Sequence, residues 1–182
     1  MKLDKLCEYV RGYVELMADD LLEDIHKCAD AIKSEEEPKL STYNSLLALS
    51  DEKLLEKVEF CYSSHYMEYV NYPTSGCVSL HELKDRLEKL SEYIEERWPQ
   101  FHINRAVPNI HLRVDNIELF GPRILASDIL EKPSHEIAKV VRDILEEGKV
   151  KSEEIIANAE YRCVHKHVAR ILDILELSSY CE

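Results

Sequence analysis

The stretch DEKLLEKVEFCYSSHYMEYV, residues 51–70, decides how the whole chain is read. Ser50 stands before it as a residue able to cap a helix start. Behind that cap, Leu54, Val58, Cys61, His65 and Tyr69 recur at steps of three and four, the period of a helix with one face turned to a core. This reading makes 51–70 one long helix, with NYPTSG at 71–76 as the turn that follows it.

Immediately downstream, Ser79 and Glu82 have the spacing of a capping box, and Leu80, Leu83, Leu87, Leu90 and Ile94 form an apolar seam leading to Trp98. Pro99 closes that helix. Upstream, Leu3, Leu6, Val10, Val14, Met17, Leu21, Ile25, Cys28 and Ile32 mark a third amphipathic helix. The run SEEEP at 34–38 is expected to end it, because glutamates oppose the dipole at a helix C-terminus and proline breaks the ladder. Three long helices with short connections pack most simply as an antiparallel bundle over residues 1–98.

Beyond Trp98 the texture changes. Pro99, Pro108, Pro122 and Pro133 mark residues 99–133 as a connector. Within it, IHLRVDNIELF is either a short hairpin turning at Asp115 and Asn116 or a helical turn or two. Over 134–182, Ser134 caps a helix carrying Ile137, Val140, Ile144 and Leu145 that stops at Gly148, and Ser152 caps a last helix running to about Leu177. These two form a C-terminal helical hairpin. The expected fold class is therefore all-α: a bundle of three long helices, a proline-rich connector and a helical hairpin.

Composition sets the outer bounds. The chain of 182 residues suffices for one domain, or for a compact domain with an appendage. Its six cysteines contain no CxxC pair, which predicts free thiols in a reducing, intracellular compartment. The charged opening MKLDKLCEYVRG and the absence of a long apolar run predict a soluble chain with no signal peptide and no membrane span. A net charge of -13 argues against a surface that coats nucleic acid throughout. Residues 1–98 hold 12 basic against 22 acidic side chains, and residues 99–182 hold 11 against 14, so a basic partner should prefer the first half. With four glycines in all, a glycine-rich phosphate loop is excluded, and no cofactor is expected.

Four side-chain patterns carry possible chemistry. Cys61 with His65 and Cys163 with His167 are two CxxxH pairs that would make a tetrahedral zinc site if they met. The plainer alternative is a small apolar cysteine and a hydrogen-bonded histidine filling core positions. Glu56 and Glu59, then Glu82 and Asp85, have the spacing by which all-α hydrolases hold magnesium, and equally the spacing that a glutamate-rich solvated helix produces by accident. An arginine followed within six residues by histidine occurs at Arg162/His167, Arg97/His102 and Arg105/His111, a repetition that makes the pattern uninformative. Finally, YRCVHKHVAR at 161–170 is free of acids and sets Arg162, Lys166 and Arg170 one helical turn apart, a stripe able to meet phosphates or an acidic neighbour.

Residues 1–98 resemble the small helical cofactors of the nuclear RNA exosome. The likeness rests on Tyr9-Val10-Arg11 in an opening helix, LLALSDEKLLEKVEF at 46–60, CYSSHYMEYV at 61–70, a turn with Gly76, and HELKDRLEKLSEYIEER at 81–97. Three features depart from that family: the His-Pro that often precedes the third helix is missing, Asp85 stands where an arginine is expected with Arg86 one place late, and ordered-looking, mildly acidic helices follow Trp98 in place of a lysine-rich tail. The resemblance implies a non-enzymatic nuclear adaptor that lends apolar helix surface to the N-terminal helices of an exonuclease during RNA processing. Leu6, Val10, Tyr13, Met17, Leu54, Val58, Leu83 and Leu87 are then the bundle or partner-binding residues. The alternatives are a nucleic-acid-binding regulator acting through Arg162, Lys166 and Arg170, and a metal-dependent hydrolase acting through the paired carboxylates.

Overall fold

The computed structural model describes residues 2–115 and 117–182, with the backbone alone over 120–123. The elements run α1 (Leu3–Leu47), α2 (Asp51–Lys57), β1 (Glu59–Ser63), a 3-10 helix (His65–Val70), β2 (Ser75–Val78), α3 (Leu80–Arg97) and α4 (Ile103–Ala106). They continue with β3 (Ile110–Val114), β4 (Ile117–Ile124), α5 (Ala126–Glu131), α6 (Ser134–Ala157), α7 (Ala159–Lys166) and α8 (Val168–Ser179). The chain divides into two compact units. One takes in the chain up to Pro38 and from Ser152 to Glu182; the other is Lys39–Lys151.

The all-α expectation is overturned by a four-stranded antiparallel sheet, in the order β2-β1-β3-β4, inside the Lys39–Lys151 unit. Residues 51–70 are not one helix. Ser50 Oγ does accept from Lys53 N (3.4 Å), but α2 stops at Lys57, and Val58 is already extended (φ -88°, ψ 130°). Glu-Phe-Cys-Tyr-Ser then pairs on both sides, with Phe60 opposite Val78 and Leu112, and Cys61 opposite Cys77 and His111. Aromatic and other bulky side chains favour a pleated surface whenever two partner strands are at hand.

The stretch IHLRVDNIELF takes the hairpin form. Ile110, Leu112 and Val114 are buried while His111 is exposed and Arg113 half-buried, the alternation of a strand with one face in a core. Asp115 makes the turn with a positive φ of 48°, a conformation that Asp tolerates better than most residues; Asn116 lies outside the described residues. The core beneath the sheet joins Phe60, Tyr62, Leu112 and Leu119 to Leu83, Leu87, Leu90 and Ile94 of α3 and to Ile137, Val141, Ile144 and Leu145 of α6. The capping box of α3 is present, with Ser79 Oγ accepting from Glu82 N (3.2 Å).

Two expected helix stops and one expected helix start do not operate as read. α1 runs through Pro38 to Leu47. α6 runs through Gly148, where a Cβ would come within 2.7 Å of the Tyr43 ring, so that glycine makes room for a packed aromatic instead of ending a helix. Ser152 sits inside α6, buried, with its hydroxyl donating to Glu36 Oε2 (3.0 Å). In the unit formed by the two chain ends, Leu21, Ile25 and Ala29 of α1 pack on Ala159 and Cys163 of α7.

All six cysteines are paired, as Cys7–Cys181, Cys28–Cys163 and Cys61–Cys77. The first two bridges lie in the α1/α7/α8 unit, and the third ties β1 to β2 with its Cα atoms 4.0 Å apart, directly across the register. Three disulfides point to an oxidising, extracellular or secretory setting, because reducing compartments keep such thiols open. The expectation of free thiols inside the cell, and of a nuclear location, is corrected accordingly. Among the described residues no helix is long and apolar enough to cross a membrane.

Candidate functional site

A concave surface forms where the 3-10 helix meets the end of α3. Two buried groups hold the 3-10 helix in place: Met67 is fully buried, and Ser64 donates its hydroxyl to Ala106 O (2.5 Å). With Met67 facing in, the flanking residues of this tight turn face out, leaving His65 and Tyr69 exposed and Tyr66 half-buried. Asn71 closes the turn in the left-handed region (φ 63°). On the other side, Pro99 prevents α3 from continuing, and Trp98, whose N–H reaches Ile94 O (2.6 Å), turns out beside Phe101.

The rings form one connected aromatic cluster. Tyr69 stacks on Tyr93 with centroids 5.4 Å apart and planes 18° apart. Trp98 stands nearly perpendicular to Tyr66 (6.3 Å, 75°), Tyr69 (5.8 Å, 75°) and Tyr93 (5.8 Å, 67°), while Phe101 lies 5.3 Å from Tyr66. The Arg97 guanidinium covers the Tyr93 ring at 3.8 Å, a cation–π contact that fixes that wall. The result is a cleft of about 630 Å³ lined by His65, Tyr66, Tyr69, Trp98, Pro99, Gln100 and Phe101. Tyr69 and Trp98 keep 52% and 38% of their surface open to solvent. Each ring braces its neighbours, so this surface loses little conformational freedom when something is laid on it.

The far side of the 3-10 helix is also pinned. Tyr62 Oη donates to Pro73 O (2.8 Å) and accepts from Arg86 Nη1 (2.7 Å), while Arg86 Nη2 reaches Glu82 (2.8 Å). Burial pulls the Arg86 guanidinium down, but its hydrogen bonds to Tyr62 and Glu82 outweigh that and leave its pKa raised. Lys89 is raised chiefly by its hydrogen bond to the Tyr72 hydroxyl (2.8 Å). The cleft has rigid apolar walls and a few polar edges.

The residues singled out in the sequence are dispersed. Leu54, Val58, Leu83 and Leu87 are buried in the core of the Lys39–Lys151 unit, where a partner cannot touch them. Leu6 and Tyr13 are exposed on α1, and Val10 and Met17 are half-buried. The zinc arrangement fails: Cys61 and Cys163 are bonded to Cys77 and Cys28, leaving no thiolate beside His65 or His167. Glu59 holds Arg113 (2.8 Å), Glu82 holds Arg86 (2.8 Å), and Asp85 faces His81 (3.6 Å). Among the described residues no group of three His, Cys, Asp or Glu side chains is placed to hold a metal.

In the basic stripe, Arg162 and Lys166 are exposed, but Arg170 is bound to Asp24 (2.5 Å), which lowers the Asp24 pKa. The sequence pattern does not disclose the cleft, because it places these aromatic residues on helix faces. The available signal is two short aromatic clusters, HYMEY and WPQF, each beside a chain-turning residue. No family model matches the chain, and neither does any curated protein or solved structure.

Proposed function

We propose that this protein is a non-enzymatic binding protein that takes up a basic, proline-containing peptide segment of another protein in the aromatic cleft. The carrying observation is the aromatic cluster around one groove, with Tyr69 and Trp98 open to solvent and Tyr66 and Phe101 half-buried beside them. Extended proline-rich segments dock on aromatic-lined grooves because prolyl rings stack on flat side chains and their backbone is already ordered. A basic character for the partner follows from the chain's net charge of -13 and from exposed acids on the two elements that build the groove, Glu68 on the 3-10 helix and Glu95 in the last turn of α3; Glu96 beside it is paired with Arg97 (3.5 Å).

The adaptor character expected from the sequence is retained in this reading, with the partner described by its chemistry. An exosome partner sits poorly with three disulfides, and residues 59–63, which carry part of that resemblance, pair as a strand. A selection from a random peptide library on the oxidised protein tests the proposal. The expected result is recovery of peptides rich in proline and in lysine or arginine, with binding lost in Tyr66→Ala. Recovery of acidic or patternless peptides, or equal binding by Tyr66→Ala, overturns it.

A further inference from the structure

Helix α1 carries two apolar stripes, and among the described residues only one of them packs on a buried core. The inward stripe is Val10, Val14, Met17, Leu21, Ile25 and Ala29, whose last three members are buried against α7. The second is Leu6, Tyr9, Tyr13 and Leu16, which alternate steps of three and four, the seam of a two-stranded coiled coil. These four side chains are 43%, 71%, 59% and 65% exposed. Continued at the same spacing, the seam meets Lys2 at one end and Asp20 and Glu23 at the other, all of them exposed.

That distribution of charge selects an occupant. Parallel pairing of two α1 helices would set Lys2 against Lys2 and Asp20 against Asp20. Antiparallel pairing centred between Gly12 and Tyr13 sets Lys2 opposite Glu23 and Tyr9 opposite Leu16, and brings Lys5, which flanks the seam, to the level of Asp20, so the basic end of each helix meets the acidic end of the other. Gly12 fits the same register. A glycine inside a helix costs about 1 kcal/mol relative to alanine, and a Cβ placed on Gly12 would meet nothing within 4 Å. Among the described residues no packing accounts for that glycine, whereas a facing helix that brings Tyr13 over position 12 does. The Cys7–Cys181 and Cys28–Cys163 bridges bind α1 to the C-terminal helices on its inward side, so the seam is presented by a braced helix.

We infer that Leu6, Tyr9, Tyr13 and Leu16 form a homodimer interface, in which α1 of one copy lies antiparallel on α1 of a second copy about a two-fold axis near Gly12. This interface is independent of the aromatic cleft.

Sedimentation equilibrium of the full-length oxidised chain tests it, with far-UV circular dichroism as the control for folding. The wild-type chain is expected to show a monomer–dimer equilibrium. Tyr13→Glu with Leu16→Glu is expected to be monomeric with unchanged helicity. Lys2→Glu with Lys5→Glu is expected to weaken the dimer about tenfold, and adding Asp20→Lys and Glu23→Lys to restore it. That restoration occurs only for the antiparallel arrangement, because parallel pairing leaves like opposite like in every variant. A wild-type chain that stays monomeric at all concentrations overturns the proposal, as does a dimer that survives Tyr13→Glu with Leu16→Glu. A charge reversal that leaves the affinity unchanged, or is not repaired by the second reversal, overturns the antiparallel register.

Discussion

Single residues explain several of the departures from simple sequence rules. Gly148 looks like a helix stop, yet it lies within α6 because Tyr43 occupies the space its side chain would need. Gly148→Ala is therefore expected to destabilise the Lys39–Lys151 unit by about 2 kcal/mol through overpacking, although alanine is the better helix former; chemical denaturation reads the change. Asp24 shows the electrostatic counterpart. Its hydrogen bond from Arg170 holds its pKa below 3.8, so the pairing contributes fully above that value and is lost as the pH falls through the depressed folded-state value. In Arg170→Gln, NMR titration of the Asp24 carboxyl is expected to show its pKa rising back toward 3.8; an unmoved value would mean that Arg170 is not the cause.

Ser50 and Ser79 are legible as caps, because a cap depends only on residues three positions away. The depressed Asp24 is not legible, since its partner lies 146 residues along the chain.

Secondary elements are readable where their partners are local. α3 declares itself by its leucine seam, and Leu83, Leu87, Leu90 and Ile94 are all buried. Leu87→Ala should accordingly cost about 3 kcal/mol in a urea melt, the cost of a cavity in a packed core; a loss below about 1 kcal/mol would show that the site collapses to fill it. The local pattern misplaces β1 because over so few residues Leu54, Val58 and Cys61 satisfy a helical period as well as an α2-to-strand junction does. What decides the matter is the pair of neighbouring strands. Phe60 sits opposite Val78 of β2 and Leu112 of β3, and neither partner falls within the window that a helical period samples. The 3-10 helix is hidden for the same reason: it is fixed by Met67 and by the reach of Ser64 to Ala106 across the sequence.

For the molecule as a whole, the disulfides matter most. Spacing alone does not give their connectivity, since six cysteines allow about 15 pairings, and the expectation of open thiols follows from the lack of a CxxC motif. Cys28 and Cys163 are separated by 135 residues, so their bridge removes much unfolded-state freedom. Replacing both with alanine is expected to lower stability by about 4 kcal/mol, with loss of helicity in the α1/α7/α8 unit seen by circular dichroism. The aromatic cleft belongs to the other unit, Lys39–Lys151, and is built from side chains that periodicity alone assigns to helix faces.

Trp98 is the chain's one tryptophan and lies in the wall of that cleft, so its emission reports on the site without any added label. A titration of the oxidised protein with a proline-rich, lysine-containing peptide should shift the Trp98 emission saturably. The affinity should weaken as salt rises and should be lost in Tyr66→Ala. A peptide that binds by calorimetry while leaving Trp98 emission unchanged, or a panel of such peptides with none that binds, would contradict a recognition role for the cleft.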